Sequence, residues 1–393
     1  MKNYKSTIVA CFVGYIVQAI VNNFIPLLFL TFQKSYDIEL SKITMLITFN
    51  FGIQLLVDMI CPSFVDKIGY RVSMVLAHVF SAAGLISLTI LPSIMDPFAG
   101  LFLSVVIYAV GGGLLEVLVS PVVEACPTDN KEKAMSLLHS FYCWGHVGVV
   151  LLSTLFFFIF GIENWKIMAV IWALVPAVNA IVFTRVPINH LIEEGQKSMT
   201  LTELLKNKVF WVMLLMMICA GASEQAVSQW ASTLAELGLG VSKAVGDLAG
   251  PMLFAIFMGT SRFIYGKYGD KIKLESFMII SALLCIFSYL LIALCPVSFV
   301  GFIGCAICGF SVGIMWPGTF STASVSLKNG GTLLFALLAL GGDLGCSGGP
   351  TFVGLISSLF SDNLKSGILL AVIFPLLMIL GIYLNKKIKA KTQ

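Results

Sequence analysis

From Ser6 to Gln33, and again from Ser276 to Leu327, the chain carries no charged residue. Both stretches exceed the roughly 20 residues a helix needs to cross the hydrocarbon of a bilayer, and Pro296 divides the second into two spans. Twelve apolar spans are predicted in all, at 6–33, 43–65, 72–95, 98–124, 133–160, 165–185, 208–235, 245–265, 275–295, 297–325, 329–360 and 365–385. Of the 24 Lys and Arg residues, all but Lys34, Lys42, Lys166, Lys243 and Lys365 fall on one side of this series. Basic loops resist translocation, so that side is cytoplasmic and both termini lie on it. The first span reads as a retained signal anchor without a cleavable leader.

Hydrophobic residues make up 58% and charged residues 11%, whereas about a quarter of a soluble domain is charged. With a mean hydropathy of +0.98, a water-soluble fold of this composition would precipitate. The expected class is an all-α membrane protein without a soluble domain. The net charge of +4 comes mostly from the cytoplasmic loops and implies contact with anionic lipid, not nucleic acid. Cys305 and Cys308 form a C-x-x-C, but they fall mid-helix among apolar residues, where Cys packs as a small side chain. No disulfide framework, metal site or cofactor is indicated.

The longest hydrophilic stretch, from Val186, joins six spans to six spans. The expected organisation is a bundle over 1–185, a cytoplasmic linker over 186–207 and a second bundle over 208–393. The halves echo one another. Asp66-Lys67-Ile68-Gly69-Tyr70-Arg71 follows the second span, and Gly266-Lys267-Tyr268-Gly269-Asp270-Lys271 follows the eighth. A shared basic turn implies duplicated halves related by an axis along the membrane normal. Its Gly permits the tight turn, and its cations can neutralise the carbonyls of the preceding helix while holding the halves together on the inner face.

On these turns the chain resembles the major facilitator superfamily over essentially its full length. Asp66 to Arg71 matches the family's G-x-x-x-D-[RK]-x-G-x-[RK] signature, with Pro62 in place of the leading Gly. The second copy is degenerate, with Arg262 before Gly266. Leu114-Leu115-Glu116 running to Ser120-Pro121, Leu137 to Tyr142, and Trp316-Pro317-Gly318-Thr319-Phe320 are similar to the fucose:proton symporter group of sugar carriers. There Asn-Pro usually follows the span-four Glu, where this chain has Ser120-Pro121. The resemblance implies two pseudo-symmetric six-helix bundles around a central cavity lined by spans one, four, seven and ten. It also implies an inner-face gate of Asp66, Gly69 and Arg71 with Arg262, Gly266 and Gly269.

A charge near the bilayer centre costs at least about 2.5 to 3.5 kcal/mol, so each one needs a reason. Glu116, Glu224 and Asp343 lie deep in spans four, seven and eleven, and His139 and His146 lie in span five. By residue count no Lys or Arg lies deep in any span. Desolvated acidic groups without basic partners suit a carrier that binds and releases a proton with its solute. The same asymmetry disfavours anionic substrates, which need an Arg or Lys clamp. Glu116, paired with His139 or His146, is the first choice for the proton site, with Glu224 and Asp343 as further candidates. Asp58 reads as part of a charge network with the Asp66 turn, and His78 as a helix-helix contact. His139 and His146, seven residues apart, lack the clustered spacing of metal ligands.

Helical spacing aligns Tyr15, Gln18 and Asn22 on one face, Glu116 with Ser120 on a second, Glu224 with Ser228 on a third, and His139, Tyr142 and His146 on a fourth. Aromatic rings can stack on sugar C–H faces while amides read hydroxyls. The candidate binding set is therefore Tyr15, Gln18, Asn22, Asn23, Glu116, Tyr142, Trp144, Glu224, Gln225, Ser228, Gln229, Trp230 and Trp316. Pro121 and Pro317 sit late in their spans, where freed carbonyls allow bending near a gate.

The expected function is proton-coupled uptake of a small neutral polar solute, a sugar or polyol, by alternating access in the plasma membrane. A proton-coupled exporter of cationic or amphipathic compounds is one alternative, and a non-transporting receptor on a carrier fold is another. No nucleophile or metal motif supports an enzyme. The expected partners are the solute, protons and the bilayer, with the chain a monomer.

Overall fold

A computed structural model describes residues 4–38, 40–189, 197–241, 243–361 and 363–392. Among them every regular element is a helix. The chain divides into two compact units, one formed by the chain up to Pro127 with Phe141–Gly195, the other by Thr128–Ser140 with residues from Gln196 onward.

The first unit contains α1 (Tyr4–Asn23), a 3₁₀ turn (Ile25–Leu28), α2 (Phe29–Tyr36), α3 (Leu40–Ile68), α4 (Tyr70–Ile94), α5 (Pro97–Ala125), most of α6 (Lys131–Phe160) and α7 (Trp165–Arg185). The second contains the first ten residues of α6, then α8 (Leu201–Lys206), α9 (Lys208–Ser228), α10 (Ala231–Leu239) and α11 (Lys243–Tyr268). It continues with α12 (Leu274–Leu294), α13 (Ser298–Val312), α14 (Met315–Ser326), α15 (Gly331–Leu359), α16 (Leu364–Leu370) and α17 (Ile373–Thr392).

Among the described residues, eleven helical segments are long and apolar enough to cross a membrane. The span expected at 43–65 falls in α3, where the apolar stretch Phe49–Val65 is shorter. Four expected spans are interrupted, and at three of the interruptions a proline follows four residues on, although Pro62, Pro92, Pro121, Pro176, Pro251 and Pro350 stand inside continuous helices. Pro26, Pro317 and Pro375 lack the N–H that would bond the carbonyls of Asn22, Gly313 and Ala371, and the helix interrupts beside each of those residues. The interruption at Gln229 and Trp230 has no such proline.

Side-chain caps start α5, α8 and α9. Asp96 accepts from the Ala99 N–H at 2.9 Å ahead of Pro97, and Asn207 accepts from Val209 at 2.9 Å. Thr200 and Glu203 form a capping box on α8, inside the stretch 186–207 expected to be a cytoplasmic linker.

The two basic turns use glycine differently. Gly69 has φ +85° and ψ 153°, a region almost reserved for Gly. Gly269 is needed for space: a Cβ there would lie 2.7 Å from Lys133 Cγ. Arg71 caps a helix, but not the one before it. Its Nη1 donates to Phe183 O at 2.9 Å and Thr184 O at 3.0 Å, the last carbonyls of α7. The Asp66 side chain lies outside the described residues.

Candidate functional site

Within the first unit, polar side chains from α1, α3, α5 and α6 converge. Gln18 donates through Nε2 to Glu116 Oε2 at 3.0 Å. Tyr15 and Ser120 share a hydroxyl hydrogen bond of 2.8 Å. Asn22 Oδ1 accepts from Asn50 Nδ2 at 3.1 Å and Gln54 Nε2 at 2.9 Å, and Asn22 Nδ2 reaches Tyr142 Oη at 3.5 Å. The α1 and α5 faces expected from helical spacing are therefore brought together.

The glycine run Gly111–Gly113 admits this convergence. A Cβ on Gly113 would meet Val57 at 2.9 Å, and one on Gly111 would meet Ser81 Oγ at 2.4 Å, so α5 lies close against both α3 and α4. Asp58 joins the group. It is 1% exposed, and a carboxyl oxygen of Asp58 lies within 4.8 Å of one on Glu116. The structure places Asp58 beside Glu116; the Asp66 side chain, with which sequence alone groups it, is not among those described. Two negative charges at that separation repel by about 3 kcal/mol at an effective dielectric constant of 20, a repulsion that one shared proton removes.

Stability does not account for these groups. A hydrogen bond between membrane helices contributes about 0.6 kcal/mol, while each ionised carboxyl at mid-span costs several times that.

Other candidates lie elsewhere. Asn23 bonds back to Ala19 O on its own helix at 2.9 Å. Trp144 is 38% exposed. His146 lies on α6 in the first unit, and among the described residues no hydrogen bond joins it to Glu116. His78 is a helix-helix contact, as expected. Its Nδ1 faces Met74 O at 2.7 Å and must donate, leaving Nε2 to accept from Asn179 Nδ2 at 2.8 Å.

In the second unit the expectation that no cation lies deep is overturned. Arg262 is six residues from the end of α11, yet it is 4% exposed and its guanidinium extends inward among three other helices. Nε donates to Gly313 O at 2.7 Å, Nη1 to His139 O at 3.1 Å, and Nη2 lies 3.4 Å from Glu224 Oε2. Counting residues from a helix end underestimates the depth that a long side chain reaches. Glu224 thus has a basic partner, and Gln225 Nε2 also donates to its Oε1 at 3.3 Å. Gln229 donates to Gln225 Oε1 at 2.9 Å, while Ser228 and Trp230 are half-buried beside them.

His139 belongs to this second cluster, its ring 5.9 Å from that of Phe320. Trp316 lies edge-on to Phe320 at 6.2 Å and fills the space over Gly342, next to Asp343. Pro121 and Pro317 are buried. A Cβ on Gly266 would lie 3.0 Å from Leu137 Cβ.

Stacked apolar helices holding buried carboxyls and amides at span depth define a multi-pass membrane protein with an internal polar site. The chain belongs to the Major Facilitator Superfamily, which it matches over residues 8–350, and it is accordingly a transporter. No curated protein matches its sequence. Its fold is similar to that of the E. coli fucose:proton symporter FucP, with a TM-score of 0.79 at 16% identity, covering 98% of this chain and 99% of that one. The proton:xylose symporter XylE follows with a TM-score of 0.78 at 12% identity, covering 96% and 94%. The human organic anion transporter MFSD10 has a TM-score of 0.74 at 15% identity, covering 97% and 100%.

Proposed function

We propose that the protein is a proton-coupled carrier of a small neutral polar solute, a sugar or polyol, working by alternating access in the plasma membrane. In this reading α3 is the second of twelve spans and the basic residues mark the cytoplasmic side. The observation that carries the proposal is the Asp58–Glu116 carboxyl pair, beside the buried amides of Gln18, Asn50 and Gln54 and the half-buried amide of Asn22. The pair supplies a proton site, and the amides and hydroxyls supply the donors and acceptors that a neutral polyhydroxylated solute needs. The fold shared with the fucose:proton symporter FucP and the proton:xylose symporter XylE supports the same reading.

The fold shared with an organic anion transporter does not redirect it, because the three donor groups of Arg262 already meet Gly313, His139 and Glu224. An exporter of organic cations is the second reading, favoured by two carboxyls at one site.

Proteoliposomes under an imposed pH gradient test the proposal. Uptake of a neutral sugar or polyol is expected, and Glu116→Gln should abolish uphill accumulation while leaving equilibrium exchange. Undiminished accumulation in that variant would remove Glu116 from the mechanism. Competition between an organic cation and protons, with no sugar uptake, would establish the exporter.

A further inference from the structure

Helices α1 and α7 run antiparallel and are tied together at two levels. Thr7 Oγ1 donates to Pro187 O, and Asn179 Nδ2 donates to Ala10 O at 3.0 Å. Between them lies a groove of about 670 Å³. Ala10 and Asn179 form its floor. The Asn179 amide is also bonded to His78, so the floor's donor group is engaged within the protein. Val9 and Val13 form one wall, Val175, Val178 and Val182 the other. Val9 and Val178 are 57% and 59% exposed, so the groove opens on the membrane-facing surface of the unit.

One end differs from the rest. Lys5 and Ser6 close it, and that same end carries Arg185 in the last turn of α7 and Arg71 bonded to the last α7 carbonyls. From Lys5 to Val13 is eight residues, about 12 Å along a helix. One leaflet's hydrocarbon is about 15 Å deep. An apolar trough one leaflet long, with cations only at its polar end, matches a lipid in charge and length. A second membrane helix would need contact over the full bilayer.

We propose that this groove binds one acyl chain of an anionic phospholipid, with the phosphate held at Lys5. None of its lining residues belongs to the Asp58–Glu116 network, so the site stands or falls apart from the transport reading. A cation at the membrane surface gives roughly a fivefold preference for anionic over zwitterionic headgroups.

Thermal unfolding of the purified full chain in mixed micelles, with phosphatidylglycerol or phosphatidylcholine of identical acyl chains, tests it. The protein should melt higher with phosphatidylglycerol. Lys5→Gln should erase that excess, and Val178→Trp, which fills the groove from an exposed wall, should reduce stabilisation by both lipids. Soluble glycerol phosphate should have no effect. Equal stabilisation by the two lipids, an excess that survives in Lys5→Gln, or an equal effect of glycerol phosphate would each overturn the proposal.

Discussion

Arg262 gives the carbonyl of Gly313 the hydrogen bond that Pro317 withholds, with Nε 2.7 Å from the oxygen. In a regular helix that carbonyl would accept from the N–H four residues on, and Pro317 has none. Arg262→Gln should therefore be strongly destabilising in the native sequence. Pro317→Ala returns an N–H to the helix, so the cost of Arg262→Gln should shrink by about 1 kcal/mol in that background. Thermal unfolding of the four proteins in the cycle reads the coupling; strict additivity would refute it.

The same guanidinium faces Glu224. Removing one partner of a buried ion pair leaves an uncompensated charge, at a cost of about 3 to 5 kcal/mol, whereas replacing both is often neutral. Glu224→Gln and Arg262→Gln should each lower the melting temperature sharply, and Glu224→Leu/Arg262→Met should recover much of the loss. A double variant as unstable as the sum of its parts would show that the pair is not a unit.

For the Asp58–Glu116 pair the test is transport. Asp58→Asn leaves Glu116 in place but removes the neighbour it repels, so the driving force for loading a proton changes while the amide network stays. Uphill accumulation should fall at least tenfold with counterflow retained. Normal accumulation would place Asp58 outside the coupling site.

Outside the membrane, Asp270 accepts from Lys133 Nζ and from Asn130 Nδ2, the latter at 3.0 Å. The Lys133 hydrogen bond holds the carboxyl below its ordinary 3.8. A folded value depressed in this way gives stability that is present above 3.8 and lost as pH falls through the folded value. Asp270→Asn should lower the melting temperature at neutral pH and low salt. The difference should vanish on acidification and narrow in about 1 M salt, because Asp270 is 61% exposed. A pH-independent difference would mean that the contact is not electrostatic.

Gly69→Ala tests the first basic turn. With φ at +85°, the substitution should cost about 1 to 3 kcal/mol although nothing lies within 4 Å of the added Cβ. A melting temperature equal to that of the native chain would contradict it.

What the sequence made legible was whatever a single helix records in its own order. The apolar runs, the Tyr15–Gln18–Asn22 face and the Glu116–Ser120 face are all functions of spacing along one element. The nearness of Asp58 to Glu116 is not legible in sequence because it depends on the register of α3 against α5, which no periodicity within either helix carries. By its position Arg262 reads as an edge residue, because its depth comes from its side chain. The breaks at Asn22, Gly313 and Ala371 lie four residues before Pro26, Pro317 and Pro375, but a proline alone does not mark them, since six others stand inside continuous helices. Hydropathy, which is indifferent to hydrogen bonding, concealed them. The α8 helix could have been found from Thr200-x-x-Glu203.

The run from Gly341 to Gly349 brings α15 against α9 with almost no side chain between. A Cβ on Gly345 would lie 2.1 Å from Ile218 O, one on Gly349 2.5 Å from Ala222 O, and one on Gly221 2.2 Å from Gly342 O. Along this seam even alanine is a wedge against rigid backbone. At Gln18 or Asn22 one polar group can replace another, while Gly221, Gly345 and Gly349 tolerate no other residue. In a library of random variants selected only for folding, those three positions should return glycine.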